Sequence, residues 1–329
     1  MNLLVTGGAG YIGSHTVRAL QKAGHTPIIV DNFSRGHRGS IPTGVTCVEM
    51  DIINPKLVDI IKEYKIDGIM HFAAHSQVGE SMENPAIYYD NNVVGSFRLI
   101  ESARTGGVKH FVFSSTAAVY GEPEEIPIME TAKLNPTNVY GRTKLMIEQM
   151  LSDYSSIYGM TYVALRYFNA AGADKSGFIG EDHMPETHLI PLVLEAALGK
   201  REAITVFGTD YPTPDGTCIR DYVHVNDLAS AHVLAMDYLQ NGGDSTVFNL
   251  GSGNGFSVKE IIETARVVTG VDIPVIYGER RSGDPGTLIA SSEKIKNILH
   301  WNPTHSNVQD VISDAWNWHE HHPNGYDDK

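Results

Sequence analysis

Thr6-Gly7-Gly8-Ala9-Gly10-Tyr11-Ile12-Gly13 follows a short apolar run, Leu3-Leu4-Val5, and opens an amphipathic segment from Tyr11 to Ala23. Glycine at Gly7, Gly10 and Gly13 permits a tight turn, close approach of a pyrophosphate to backbone N–H groups, and close helix–sheet packing. The helix dipole adds to the attraction for an anion. A glycine triplet alone is weak evidence, so its context has to carry the reading. The next apolar run, Pro27-Ile28-Ile29-Val30, ends in Asp31, eighteen residues beyond Gly13. A carboxylate near that offset accepts hydrogen bonds from a ribose 2′-OH and repels a 2′-phosphate. Loop and acid together predict a dinucleotide site that prefers NAD to NADP; the alternative is a structural turn beside a surface acid.

The same alternation continues outward. Val45–Glu49, Gly68–Phe72 and Phe111–Phe113 read as buried strands, with Thr161–Arg166 as a further candidate. Pro55–Lys65, Pro85–Thr105 and Asn138–Tyr158 read as helices between them. Strands apolar on both faces and separated by helices predict an α/β fold with a Rossmann-type, doubly wound parallel sheet. Ligands of such sheets bind at the carboxyl ends of the strands. From Asn169 to Glu186 the chain turns rich in Gly, Asp and Glu, and shorter elements are expected beyond. The predicted division is a dinucleotide-binding unit over 1–169, to which some later segments return, and a smaller α/β ligand-binding lobe over 170–329.

Composition narrows the function. The 329 residues are 42% hydrophobic and 19% charged, which excludes a disordered or fibrous chain. Lys and Arg number 25 against 39 Asp and Glu, a formal net charge of −14. No basic cluster is present, so nucleic acid is not an expected partner. Cys47 and Cys218 are far apart and lack metal-ligand spacing, which fits a reducing compartment. The N-terminal stretch has no basic region and no sustained apolar run, and no run approaches the roughly 18 apolar residues of a membrane span. A soluble, cytoplasmic protein with no membrane contact is expected.

Tyr140-Gly141-Arg142-Thr143-Lys144 opens a helix capped by Thr137 or Asn138. Residues i and i+4 share a helix face, so the ammonium can sit near the phenol and favour its ionised form. Chance supplies roughly 0.6 such pairs in a chain of this Tyr and Lys content, so the pair alone decides nothing. Ser114-Ser115-Thr116 ends the preceding strand at the same sheet edge, where a hydroxyl could bond a substrate oxygen.

Taken together, these features resemble the extended short-chain dehydrogenase/reductase family and, within it, the UDP-glucose (UDP-galactose) 4-epimerases. The likeness runs through Thr6–Thr16, His71–Ser81, Tyr88–Gly95, Phe113–Gly121, Asn138–Lys144, Arg166–Gly172 and Gly216–Asp227. It implies a tightly held NAD contacted by Gly7, Gly10, Tyr11, Ile12 and Gly13, and by Asp31, Asn32, Phe33, Ser34, Arg35 and Gly36. Asp51, Ile52, Phe72, Ala73, Ala74, Asn91, Thr116, Tyr140, Lys144 and Phe168 complete that implied pocket. Thr116, Tyr140 and Lys144 are the implied catalytic set, with Thr116 and Tyr140 at the sugar 4-OH. Asn169, His188, Leu189, Val206, Phe207, Arg220, Arg281, Asp284 and Leu288 are implied on the UDP-sugar side. Arg220 and Arg281 could instead form surface pairs with Asp221 and Asp284. The resemblance further implies a homodimer built on Pro85–Thr105 and Asn138–Tyr158.

Thr116-Ala117-Ala118 carries methyl groups where related dehydratases and decarboxylases carry carboxyl groups, so those reactions are not expected. A catalytically silent dinucleotide sensor, the competing reading, has no need of Tyr140 and Lys144 together. Ser76 and His188 stand where the family pattern often has Lys and Asn. Leu288 stands at its size-selecting position, and either admits an acetamido sugar or is plain core packing. His183 and His188 are five residues apart, whereas two zinc ligands on one helix face want a spacing of four. No metal is assigned from the sequence.

Overall fold

Consecutive residues of the first strand are buried on opposite sides of one sheet. Leu3 and Val5 join one apolar cluster and Leu4 joins another, all fully buried. Each such side chain contributes roughly 1.5–3 kcal/mol by leaving water, which requires helices over both faces. The computed structural model describes residues 1–280 and 285–327. Its strands are β1 (Asn2–Thr6), β2 (Thr26–Asp31), β3 (Thr46–Glu49), β4 (Gly68–His71), β5 (His110–Ser114), β6 (Thr161–Tyr167) and β7 (Asn169–Ala171). They continue as β8 (Ile204–Phe207), β9 (Ile219–His224), β10 (Thr246–Leu250), β11 (Gly255–Ser257), β12 (Val275–Gly278) and β13 (Thr287–Leu288).

The main sheet is parallel, in the order β10-β6-β5-β4-β1-β2-β3. The order reverses direction beside β1, and the crevice at that switch point is where such sheets bind ligands. The helices are α1 (Tyr11–Lys22), α2 (Leu57–Glu63), α3 (Val78–Glu83), α4 (Pro85–Tyr88), α5 (Gly95–Gly106) and α6 (Val139–Tyr158). Then come α7 (Leu189–Ala197), α8 (Val225–Gln240), α9 (Val258–Thr269), α10 (Glu293–Leu299) and α11 (Val308–His321). Helices α1, α8 and α10 supply the core of one face, and α2, α5 and α6 that of the other. The fold class read from the sequence is the fold observed.

Two features depart from the simple pattern. The helix expected over Pro85–Thr105 widens into a π turn at Tyr89–Val94 between α4 and α5. Beyond residue 170 the elements do not all shorten: α8 has 16 residues because nearly every side of it is covered, by α1, β5, β6 and β9 among others. Strand β10 pairs with β6, so the chain re-enters the first sheet there.

The second lobe is smaller. Strand β9 pairs with β11 antiparallel and with β7 and β13 in parallel, while β8 and β12 form a separate parallel pair. Helices α7, α9 and α11 share one apolar cluster with these strands. Because β7 follows β6 after Phe168 alone, the chain passes from one sheet to the other at the carboxyl edge of the first.

Candidate active site

A cavity of about 630 Å³ opens along the carboxyl ends of β1, β2, β4, β5 and β6 and reaches the second lobe. The glycine turn forms one end. Gly7 has φ +71°, and a Cβ there would lie 2.6 Å from the Ala73 nitrogen. A Cβ on Gly13 would lie 2.1 Å from the Gly7 carbonyl oxygen, so no larger residue closes this turn. No side chain caps α1, whose preceding residue is Gly10, and its first N–H groups are therefore available to an anion. Asp31 accepts from the Ala9 N–H at 3.0 Å and the Phe33 N–H at 2.9 Å. Burial raises its pKa against those two bonds. A carboxylate has about four lone-pair sites, which leaves acceptor capacity for a ribose hydroxyl. The residues present thus fit a dinucleotide.

Asp31, Asn32, Ser34, Arg35, Gly36, Asp51, Ile52, Phe72, Ala73, Ala74 and Asn91 line this half of the cavity with Tyr11 and Ile12. Phe33 does not line it; its backbone serves Asp31 instead. The π turn explains the placing of Asn91. Its neighbour Asn92 is fully buried, donates to the His75 carbonyl at 3.0 Å and to Thr143 Oγ1 at 3.2 Å, and accepts from Asn91 Nδ2 at 2.9 Å.

Thr116, Tyr140, Lys144 and Phe168 line the middle of the same cavity. Asn138, not Thr137, caps α6: its Oδ1 accepts from the Gly141 N–H at 2.8 Å. Gly141 matters for a second reason, since a Cβ there would sit 2.7 Å from the Ala118 carbonyl oxygen. The helix bearing Tyr140 can therefore lie directly on the turn bearing Thr116. Thr116 Oγ1 accepts from the Ala118 N–H at 3.1 Å, and the Thr116 hydroxyl is near enough to the Tyr140 phenol to favour its ionised form.

The proton affinities differ from the expectation. Burial pushes the Tyr140 phenol up to about 12, and only the Thr116 hydrogen bond pulls the other way. Lys144 Nζ donates to the Ser114 carbonyl at 2.8 Å and stands 5.8 Å from the Tyr140 ring centre. Burial pulls Lys144 itself down to about 7, opposed by the Glu148 carboxylate.

Behind the pair lies a buried polar chain. Arg166 donates from Nε to Glu148 Oε1 at 3.0 Å and from a terminal nitrogen to Oε2 at 2.5 Å. It also donates to the Tyr120 hydroxyl at 2.9 Å, which donates to Asn249 Oδ1 at 2.7 Å. Ser115 Oγ donates to Glu148 Oε1 at 2.5 Å. This chain ties α6 to β6, to β10 and to the segment that follows β5.

Asn169, Arg220, His188 and Leu288 line the far end. Arg220 and Leu288 are register partners on β9 and β13. Asp221 is buried and taken up by Ser252 Oγ at 2.7 Å and the Ala290 N–H at 3.2 Å. Burial pushes it up to about 6. Leu189 and Val206 are not in the wall: both pack in the apolar cluster of the second lobe, Val206 with 1% exposure. Phe207, the next residue on β8, faces outward with 37% exposure and does not line the cavity either. Arg281 and Asp284 lie outside the described residues.

Glu181, which flanks the two histidines in sequence and carries no role in the sequence reading, lines the cavity with His183 and His188. Burial opposes protonation of His183, but its contacts with Glu181 and Glu186 outweigh burial and push it up to about 9. His188 is raised well above the usual histidine range by the same carboxylates, again against burial.

A model of the NAD dependent epimerase/dehydratase family matches residues 3–251. The chain belongs to that family. Within this epimerase/dehydratase group, a UDP-glucose 4-epimerase of Halalkalibacterium halodurans is 55% identical over 99% of this chain and 98% of the relative. One of Lacticaseibacillus casei is 51% identical over the whole of both chains. A crystal structure of UDP-glucose 4-epimerase from Brucella ovis in complex with NAD is 46% identical, with a TM-score of 0.94, covering 96% of this chain and 97% of that one. The Bifidobacterium longum enzyme in complex with NAD+ and UDP is 37% identical, with a TM-score of 0.93, covering 99% of this chain and 100% of that one.

Proposed function

We propose that the protein interconverts UDP-glucose and UDP-galactose by reversible oxidation at C4, as an NAD-dependent 4-epimerase. The observation that carries this reading is continuity: one cavity joins the uncapped glycine turn and Asp31 at one end to Arg220 at the other, with Tyr140 and Thr116 between. When bound, NAD supplies a hydride acceptor and donor for C4 and, oxidised, a fixed positive charge. Tyr140 Oη takes the proton of the sugar 4-OH and returns it after the sugar turns over. Thr116 Oγ1 holds the shared hydrogen bond at that oxygen. Lys144 orients from the same helix face and adds positive charge. Arg220 offers a planar donor fork suited to a pyrophosphate. Ala117 and Ala118 line the cavity with methyl groups, which offer no carboxyl group to expel water or stabilise loss of carbon dioxide.

Cys47 and Cys218 form no disulfide with each other, and no helix among the described residues is long and apolar enough to cross a membrane. These features support a cytoplasmic setting. Val94, Phe97, Met146, Ile157 and Tyr158, on and beside α5 and α6, are exposed and apolar, which supports a homodimer through these helices. Sedimentation as a monomer at micromolar concentration overturns that assembly.

The activity is tested by incubating purified protein with UDP-galactose and no added NAD. UDP-glucose and reduced nicotinamide are followed in the same sample. Product without accumulating reduced nicotinamide is expected. No product from protein shown to contain NAD overturns the reading in favour of another sugar nucleotide or a silent sensor.

A further inference from the structure

Glu181, His183, Glu186 and His188 converge in one short segment between β7 and α7. We propose that these four side chains hold one zinc ion. Each offers one ligand atom, and the four atoms lie within 4.8 Å of one another. His183 Nδ1 is 3.2 Å from Glu181 Oε1 and 3.6 Å from Glu186 Oε2. His188 Nδ1 is 3.1 Å from Glu181 Oε1 and 2.8 Å from Glu186 Oε1. Four ligands at about 2.0–2.2 Å from a tetrahedral zinc stand roughly 3.3–3.6 Å apart. The His183–Glu186 separation lies in that range and the other three are shorter, so the carboxylates must turn slightly outward to admit the ion.

A second observation concerns one atom. His183 Nδ1 is sealed from solvent and makes no hydrogen bond among the described residues, although both carboxylates are near. Neither carboxylate oxygen meets it in hydrogen-bond geometry, which leaves this buried nitrogen for an ion. Two imidazole nitrogens with two carboxylate oxygens suit zinc, whereas magnesium and calcium take oxygen alone. Two carboxylates also balance the charge of the ion.

The helical spacing used above to set zinc aside does not govern these residues, because the segment is irregular until His188 ends it as the residue before α7. The pattern is Glu-x-His-x-x-Glu-x-His on a loop, which is free to fold its ligands inward. A rival group, His224, His305 and Asp314, is less suited. Its two rings stack at 4.1 Å, and His224 Nδ1 already accepts from the Asn226 N–H at 3.1 Å.

The zinc would be structural, with four protein ligands, and it would pin a strap across the cavity. The dinucleotide half grips this strap where Gln77 Nε2 donates to the Pro185 carbonyl at 2.7 Å and Arg35 donates to that of Met184. The second lobe grips it where Trp318 Nε1 donates to the Glu181 carbonyl at 3.2 Å. Glu181, His183 and His188 all line the cavity, so the ion would fix part of its wall.

The test is elemental analysis of the NAD-loaded protein, made without a histidine tag, exposed to zinc and then dialysed. On the order of one zinc per chain is expected, as is a higher melting temperature than in chelator. Cobalt in place of zinc should give the visible absorption of a tetrahedral site. His183→Ala should abolish both, whereas His305→Ala should keep both. Less than about a tenth of an ion per chain in the unmodified protein, with equal melting in zinc and chelator, overturns the proposal. So does loss of the metal in His305→Ala with retention in His183→Ala. The unmodified protein decides the matter even if a variant does not fold, and epimerisation can stand while this site fails.

Discussion

Lys144 Nζ donates a 2.8 Å hydrogen bond to the carbonyl oxygen of Ser114, the last residue of β5. That bond holds the ammonium beside the Tyr140 ring, 5.8 Å from its centre, while the Thr116 hydroxyl is the group that favours ionisation of the phenol. In the proposed mechanism, proton transfer and positioning are divided between Tyr140 and Lys144, two residues of one helix face. Tyr140→Phe deletes only the oxygen proposed to move the proton. It is expected to lower kcat by about 10²–10⁴-fold while bound NAD is retained. Lys144→Met should lower kcat and also reduce the NAD that survives purification. Turnover of Tyr140→Phe within about threefold of the parent would remove Tyr140 from its role.

Glu148 and Arg166 meet with side-chain exposures of 6% and 4%, so neither has water to fall back on. Breaking such a buried pair from one side costs about 3–5 kcal/mol, because the partner charge is left unpaired. Arg166→Met is therefore expected to lower the urea midpoint sharply. The double variant Glu148→Leu with Arg166→Met should recover much of that loss. Additive losses in the double-mutant cycle would show that the two charges are not coupled.

What the sequence disclosed is what local geometry encodes. Gly7 to Gly13 and Asp31 are strand–turn–helix features, and Tyr140 with Lys144 is a one-turn pair, so each is readable from spacing. The chain from Glu148 through Arg166 and Tyr120 to Asn249 joins four separate elements, and no spacing announces it. Its only local hint is a carboxylate one turn beyond Lys144 on the buried face of α6. The π turn at Tyr89–Val94 hides similarly, because the apolar pattern runs straight through it. The direction of the Tyr140 shift could not be read either. An i, i+4 spacing shows that two groups share a face, not how deeply they are buried nor which carbonyl claims the ammonium. On β8, alternation turns Val206 into the core and Phe207 away from it, which the resemblance alone does not reveal.

Acid should destabilise the protein through histidines held neutral. Burial pulls His15 and His232 down to about 4 and His71 down to about 3, from 6.5 in the unfolded chain. A base whose folded pKa is depressed contributes stability that is present above 6.5 and lost as pH falls towards the folded value. Each group can add up to about 1.4 kcal/mol per pH unit to that slope. His232 Nδ1 bonds the Leu228 carbonyl at 2.8 Å, its Nε2 has no partner among the described residues, and its ring packs on Phe72. His232→Phe keeps the packing and removes the titration. Denaturant midpoints measured between pH 6.5 and 4 should fall less steeply for this variant. An unchanged slope would place the acid sensitivity elsewhere.

Leu288 stands opposite Arg220 in the β13–β9 register and lines the cavity, while its side chain also packs on the cluster of Ala117, Val119, Tyr120 and Ile128. It therefore serves as wall and as packing at once. In the family that this chain resembles, a tyrosine at this position tends to exclude acetylated sugars; leucine is shorter and carries no hydroxyl, which favours acceptance of an acetamido group. Activity on UDP-N-acetylglucosamine is expected alongside that on UDP-glucose. Leu288→Tyr should reduce the ratio of acetylated to plain turnover by about tenfold or more, since a filled pocket rejects the bulkier sugar at the transition state. The ratio of kcat/KM values for the two sugars is the quantity to measure, because a general loss of stability lowers both and leaves it unmoved. If Leu288→Tyr lowers both values equally, Leu288 is packing alone and the size of the sugar is judged by another part of the wall.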